Sequence, residues 1–458
     1  MVGYLPRIAA PPLRVALLAI LGVGIGAAVS TSIPLTASIF LILLLAYLFS
    51  RSSLRSEVLV AAYWLSFCVY ETVFAAVTIP GFFYPFYAAF MALTLVSLAG
   101  PGVRFDGRLT ATYAGFLFIV LTSFVGFANP VDFQVASRLV AYCFAGLVML
   151  QIASARGAWL VIASAVLASA IIATWVVWTS VTEGFAYRGS IDVNQNAVTL
   201  FIALGLVPLL ATITASLVFG RRRALILPLT LASAILSYAV LLLASRGMTI
   251  AITVAIVAVV VRSTVMRPRV IVPILAILLV VFAVGLALPG GTSLFERFEG
   301  EQVESGNTRY LLWETTLGSF TEGSVSSFLF GNGFDSSKDV LRREFGSTTS
   351  THNGYIQILY EFGLIGLALF VALHITLLIR ASRMRNELGL ILLGLVVFLM
   401  GANLPADASN GFMYWATLGL LIGAVGLAEP AQSTASHPAP PSPSPKRRTD
   451  SHVLNGPG

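Results

Sequence analysis

Charge is what this chain has least of. Asp, Glu, Lys and Arg make up only 10% of 458 residues, against 57% hydrophobic residues and a mean hydropathy of +0.91. No water-soluble domain can hide that much apolar surface, which excludes a soluble enzyme or binding module. Cysteine is nearly absent: Cys68 and Cys143 both fall inside apolar runs, so neither a disulfide framework nor a thiolate metal centre can be built on them. Metal-ligand spacings, paired carboxylates and nucleotide motifs are missing too. Gly22, Gly24 and Gly26 follow no strand and read as small-residue helix packing. Histidine is rare, with four residues in all.

What the chain does have is apolar runs, one after another. They are longer and more continuous than the roughly ten-residue alternating strands of an outer-membrane barrel. Backbone in lipid must satisfy its own hydrogen bonds, so these runs are expected to be helices. The expected fold is an all-α polytopic membrane protein of about 12–14 spans with one large extracytoplasmic loop lobe. The spans read as 15–30, 33–50, 57–79, 83–100, 110–128, 138–154, 158–180, 195–219, 224–244, 248–262, 270–288, 354–379, 388–404 and 411–428. The first, preceded by Arg7 and Arg14, lacks a small-residue cleavage site and reads as an anchor. The chain divides into N-terminal spans (1–180), central spans with short outer loops (181–288), a large outer loop (289–353), C-terminal spans (354–428) and a Pro/Ser-rich tail expected to be disordered (429–458).

Arginine orients the molecule. With both termini in the cytoplasm, the inner segments collect Arg51, Arg55, Arg104, Arg108, Arg156, Arg221 to Arg223, Arg262, Arg267, Arg269, Arg380, Arg383 and Arg385. Short inner loops dense in arginine are what the positive-inside bias predicts. The net charge of +7 is then a record of orientation and calls for no nucleic-acid partner.

The polar chemistry gathers outside. Residues 181–196 hold Arg188, Asn194 and Asn196, and Ser245-Arg246-Gly247 forms a tight reversal between two spans. The 289–353 loop contains an amphipathic stretch from Asn307 to about Phe320, with Leu312, Thr316 and Phe320 on one face and Arg309 and Trp313 beside it. Gly331-Asn332-Gly333 signals a turn, and Lys338 to Arg343 suits a short interfacial helix. Thr351-His352-Asn353 then leads into the next apolar run. His374 lies within an apolar run and His437 and His452 in the tail, which leaves His352 as the histidine placed to titrate at a membrane surface. From His352 the positions Tyr355, Leu359, Gly363 and Gly366 share a helical face, its glycines suited to a close neighbour. Asn353, Gln357 and Glu361 form a polar stripe expected to line a cavity.

Each signal has a plainer reading. His352 can cap a helix, Arg246 can snorkel, Arg309 can be solvated, and Glu71, a lone acid within a span, can bond a neighbouring helix. Against these stands Arg309 as a phosphate-capturing guanidinium, whose planar paired donors match diphosphate oxygens.

The His352-Asn353 pair followed by Gly363 and Gly366 resembles the signature of the bacterial O-antigen ligase family, related to O-antigen polymerases. Ser245-Arg246-Gly247, Arg309 with Trp313, and Phe330-Gly331-Asn332-Gly333 are similar to further family patterns, in the same order along the chain. The resemblance covers about 185–380. It implies a metal-independent, inverting glycosyltransferase of the bacterial cytoplasmic membrane, without cofactor, that works in cell-surface polysaccharide biosynthesis. The donor would be an undecaprenyl diphosphate-linked glycan, the acceptor a glycan or glycolipid, and the surroundings membrane lipids. By position, Arg246 and Arg309 would hold the diphosphate and His352 would activate the acceptor hydroxyl. Arg188, Asn194, Asn196, Asn353, Tyr355, Gln357 and Glu361 are the candidate substrate contacts. Ile250 stands where ligases commonly carry leucine, and fourteen spans exceed the usual twelve, so ligase and polymerase both stay open. The rival is a non-enzymatic lipid-linked glycan flippase, which should show internal repeats and midplane charges.

Overall fold

The computed structural model describes residues 113–115, 155–182, 195–220, 223–292, 303–346, 350–406 and 412–426. Apart from 113–115, the spans expected before 155 lie outside the described residues, as do Cys68, Cys143, Glu71, Arg188, Asn194 and the tail. Within them every regular element is a helix, and the protein is an all-α polytopic membrane protein. Helices α1 (Ala155–Thr182), α2 (Gln195–Phe219), α3 (Ile226–Leu243), α4 (Arg246–Met266) and α5 (Ile271–Ala287) follow the expected spans closely. Three shorter helices fill the outer loop: α6 (Val303–Thr321), α7 (Val325–Phe330) and α8 (Ser336–Phe345). The chain returns through α9 (Gly354–Arg383), α10 (Glu387–Ala402) and α11 (Phe412–Gly426).

Helix α2 is the hub. It is buried on nearly every side, with α1, α3, α4 and α10 packed around it. Apolar attraction between helices is weak in lipid, so close approach of backbones must hold them. At Gly401 a Cβ would meet that of Ala251 at 3.1 Å, and at Gly394 it would touch Val207 and Val259 at 3.0 Å, which seats α10 on α4 and α2. Outer faces stay apolar and exposed: Val272 and Leu279 on α5 are 72% and 67% accessible, the mark of a lipid-facing surface. At the end of α2 the Arg267 guanidinium donates to Val218 O at 2.9 Å, a cation set against a helix C-terminus.

Helix α9 departs from expectation. The sequence suggested one straight span over 354–379, but Gly363 adopts φ 69°, ψ −173° and breaks the helix. A straight helix would separate Tyr355 and Phe370 by about 22 Å along its axis. Their ring centroids lie 6.0 Å apart, edge to face. The outer limb, residues 354–362, therefore folds over instead of extending the inner limb, residues 364–383, which by itself is about 30 Å long and sufficient to cross a bilayer. Gly354 N–H donates to Asn403 O (2.8 Å) and Ala406 O (3.1 Å), while the Tyr355 hydroxyl donates to Met400 O (2.9 Å). These bonds hold the outer limb level with the top of α10.

The break frees carbonyls that an unbroken helix would satisfy internally. The α7–α8 turn supplies their donors: Asn332 N–H to Tyr360 O at 2.9 Å and Gly333 N–H to Glu361 O at 3.0 Å. Gly331 (φ 84°) and Gly363 meet backbone to backbone, and a Cβ on either would collide with the other's strand of main chain. The expected glycine contact thus exists at Gly363, where the end of the short helix α7 and the turn after it approach, not another span. The lobe is secured further by a Phe320, Val340 and Tyr360 cluster, with Phe320 stacked on Phe328 at 5.3 Å.

Candidate active site

Arg246 owes its position to a left-handed residue and a tight neighbour. Ala244 (φ 47°) ends α3, and extended Ser245 starts α4, so Arg246 lies in the first turn of a helix. The exposed N–H groups there already make a positive terminus. The Ser245 hydroxyl donates to Asn196 Oδ1 at 2.7 Å, tying the reversal to the top of α2. Gly247 lies so close to Pro405 that a Cβ would overlap the proline ring.

Arg309 is set by the amphipathic stripe of α6. Leu312, Thr316 and Phe320 are buried as their spacing predicted, and Arg309 and Trp313 lie half-buried on the flank. The Trp313 indole N–H donates to Thr351 O at 2.8 Å, so Arg309 sits one turn from the segment that carries His352. Burial first, and then the charge of Arg246, push the Arg309 guanidinium below its usual pKa. The two arginines are therefore near enough to repel each other.

His352 is presented by two anchored neighbours. Thr351 is fully buried, its hydroxyl donating to Asn353 O (3.0 Å) and accepting from Asn353 N–H (3.3 Å). Asn353 caps α9 by accepting from the N–H groups of Tyr355 (3.0 Å) and Ile356 (3.1 Å). Between them half-buried His352 takes φ 51°, a left-handed conformation that costs a non-glycine residue roughly 1–2 kcal/mol. Strain of this kind persists where the surroundings over-determine it, often at a functional site. Its Nδ1 lies 3.3 Å from the Ser350 hydroxyl.

The α10–α11 connection joins these pieces. Pro405 packs on Gly247 beside Arg246, and Asn403 and Ala406 receive the N–H of Gly354, two residues after His352. The structure thus gathers the segments bearing Arg246, Arg309, His352 and Asn196 at one end of the helix bundle. Sequence reasoning passed over this turn, although Asn403-Leu404-Pro405 at the outer end of a span was a visible signal. The polar stripe needs correction as a cavity wall. Gln357 and Glu361 are buried against α8, where Glu361 Oε1 accepts from Gln357 Nε2 (2.9 Å) and from the Ser337 hydroxyl (2.7 Å). Tyr355 and Asn353 likewise make protein hydrogen bonds, and Arg188 and Asn194 fall outside the described residues.

Residues 231–371 match the family model described as O-antigen ligase. The match runs from α3 into α9 and encloses Arg246, Arg309, His352 and the Gly331–Gly363 contact. No curated protein matches the chain. Among the described residues, six helices are long and apolar enough to cross a membrane, and the matched segment contains α4 and α5 whole and parts of α3 and α9.

Proposed function

We propose that the protein transfers a glycan from undecaprenyl diphosphate to a glycan or glycolipid acceptor at the outer face of the cytoplasmic membrane. One observation carries the reading: the Trp313 bond to Thr351, the Gly354 bonds to Asn403 and Ala406, and the Pro405 contact with Gly247 bring the segments bearing Arg309, His352 and Arg246 together. The paired planar donors of two guanidinium groups fit a diphosphate. The acceptor hydroxyl attacks the anomeric carbon as the bond from that carbon to the diphosphate oxygen breaks. The bonding electron pair stays on the diphosphate, where both arginines stabilise the growing charge. The hydroxyl proton passes to the His352 imidazole and then to water. A single displacement inverts the anomeric centre, and with the arginines neutralising the leaving group the step requires no metal.

The test is to incubate the purified protein with an undecaprenyl diphosphate-linked glycan and candidate acceptors, with and without chelator. Transfer that survives chelation is expected. One added block identifies a ligase, a ladder of products a polymerase. Arg246→Lys and Arg309→Lys should each slow transfer about tenfold or more, because ammonium cannot reproduce paired donors. Full activity in both removes the diphosphate role. Movement of the lipid-linked glycan across vesicles without transfer would establish the flippase instead.

A further inference from the structure

Helix α6 has a second working face. Tyr310, Trp313, Glu314, Leu317 and Thr321 recur at helical spacing and, with Ile356 of the α9 outer limb, line an open groove of about 420 Å³. That volume falls within the roughly 300–1,000 Å³ of small-molecule sites. We infer that this groove seats the acceptor glycan, an inference that rests on the transferase reading.

The lining has the chemistry of a sugar site. Tyr310 is 64% exposed on the lobe, a large aromatic surface open to a ring that can stack on it. Trp313 has its N–H engaged by Thr351 O, which fixes the indole as a rigid wall. Glu314 offers an exposed carboxylate, and the Thr321 hydroxyl, donating to Gly318 O at 2.8 Å, keeps lone pairs for a sugar hydroxyl. An isoprenoid or acyl chain would gain nothing from Glu314 and would lose by desolvating it. Charge separates the two substrates. None of the lining residues is basic, so the anionic carrier is drawn to Arg309 and Arg246 while the groove stays open to hydroxyls. Trp313 belongs to both places, walling the groove and contacting the residue next to His352, so an acceptor seated here has its end delivered to the base.

The probe is the pool of oligosaccharides released by mild acid from the source bacterium's envelope. Saturation-transfer NMR with the full chain in nanodiscs reads binding directly, without chemistry. Sugar-proton saturation is expected with the unmodified protein, and at least about tenfold weaker binding in Tyr310→Ala and Glu314→Gln. In the transfer assay the same variants should raise the acceptor KM by a similar factor, with the donor KM unchanged. The inference is overturned by equal binding in the variants, by no binding to the unmodified protein, or by undecaprenyl phosphate displacing the sugar signal. Binding without transfer would sink the transferase reading and leave the groove a sugar site with no acceptor role. Transfer that ignores both substitutions would sink the groove alone.

Discussion

Two polar clusters lie at opposite ends of the short outer limb of α9, and they are built on opposite principles. At its inner end Glu361, Gln357 and Ser337 are buried and satisfy one another through bonds of 2.7 and 2.9 Å. At its outer end the segments that carry Arg246 and Arg309 meet, and His352 sits on a strained backbone. The first cluster closes the lobe onto the membrane helix. The second gathers two guanidinium groups and an imidazole on a strained turn. Polarity at a membrane boundary therefore does not mark a site by itself; what distinguishes this one is that cationic and titratable groups from separate elements converge on a strained backbone.

That contrast can be broken by mutation. The largest effect is expected from His352→Ala, which should lower turnover by about 10²–10⁴-fold, the usual worth of a general base, while donor binding persists. Unchanged turnover would reduce His352 to a turn residue. Next comes Gly363→Ala. Its positive φ alone costs about 1–3 kcal/mol, and the new Cβ would strike the Leu329 carbonyl. Proteolytic nicking of the lobe should rise together with loss of activity. Gly346→Ala makes the control: its φ is 68° but nothing lies within 4 Å, so a nick-resistant lobe is expected.

Smaller effects sharpen the comparison. Glu361→Ala leaves the Ser337 and Gln357 donors without their acceptor, and should lower stability by about 1–3 kcal/mol in thermal unfolding. Glu361→Gln keeps an acceptor oxygen and should recover most of that loss. Arg309→Gln should do the reverse, abolishing transfer while changing stability by at most about 1 kcal/mol, the scale of a partly solvated charge. If Arg309→Gln destabilises and Glu361→Ala does not, the distinction between the clusters is wrong.

The spans were legible because hydropathy is a local sum: Gln195–Phe219 and its neighbours follow directly from runs of apolar residues. The buried stripe of Leu312, Thr316 and Phe320 was legible from helical period. The fold in α9 was not. The apolar run continues through Gly363, so nothing in the pattern announces a change of direction, and the glycine read as a packing contact. Its partner Gly331 lies in another element and read only as a turn. Gln357 and Glu361 misled for the same reason, since a polar stripe does not say whether protein or water faces it.

Sequence alone determined a polytopic helical protein, its arginine bias, and the order of Arg246, Arg309 and His352 along the chain. Tertiary structure decided which polar groups satisfy one another in the interior and which converge from separate elements. The physical reason is range: hydropathy and periodicity act over a few turns of one helix. The bonds of Gly354 to Asn403, of Trp313 to Thr351 and of Gly333 to Glu361 join elements far apart in the chain, and only folding brings them together.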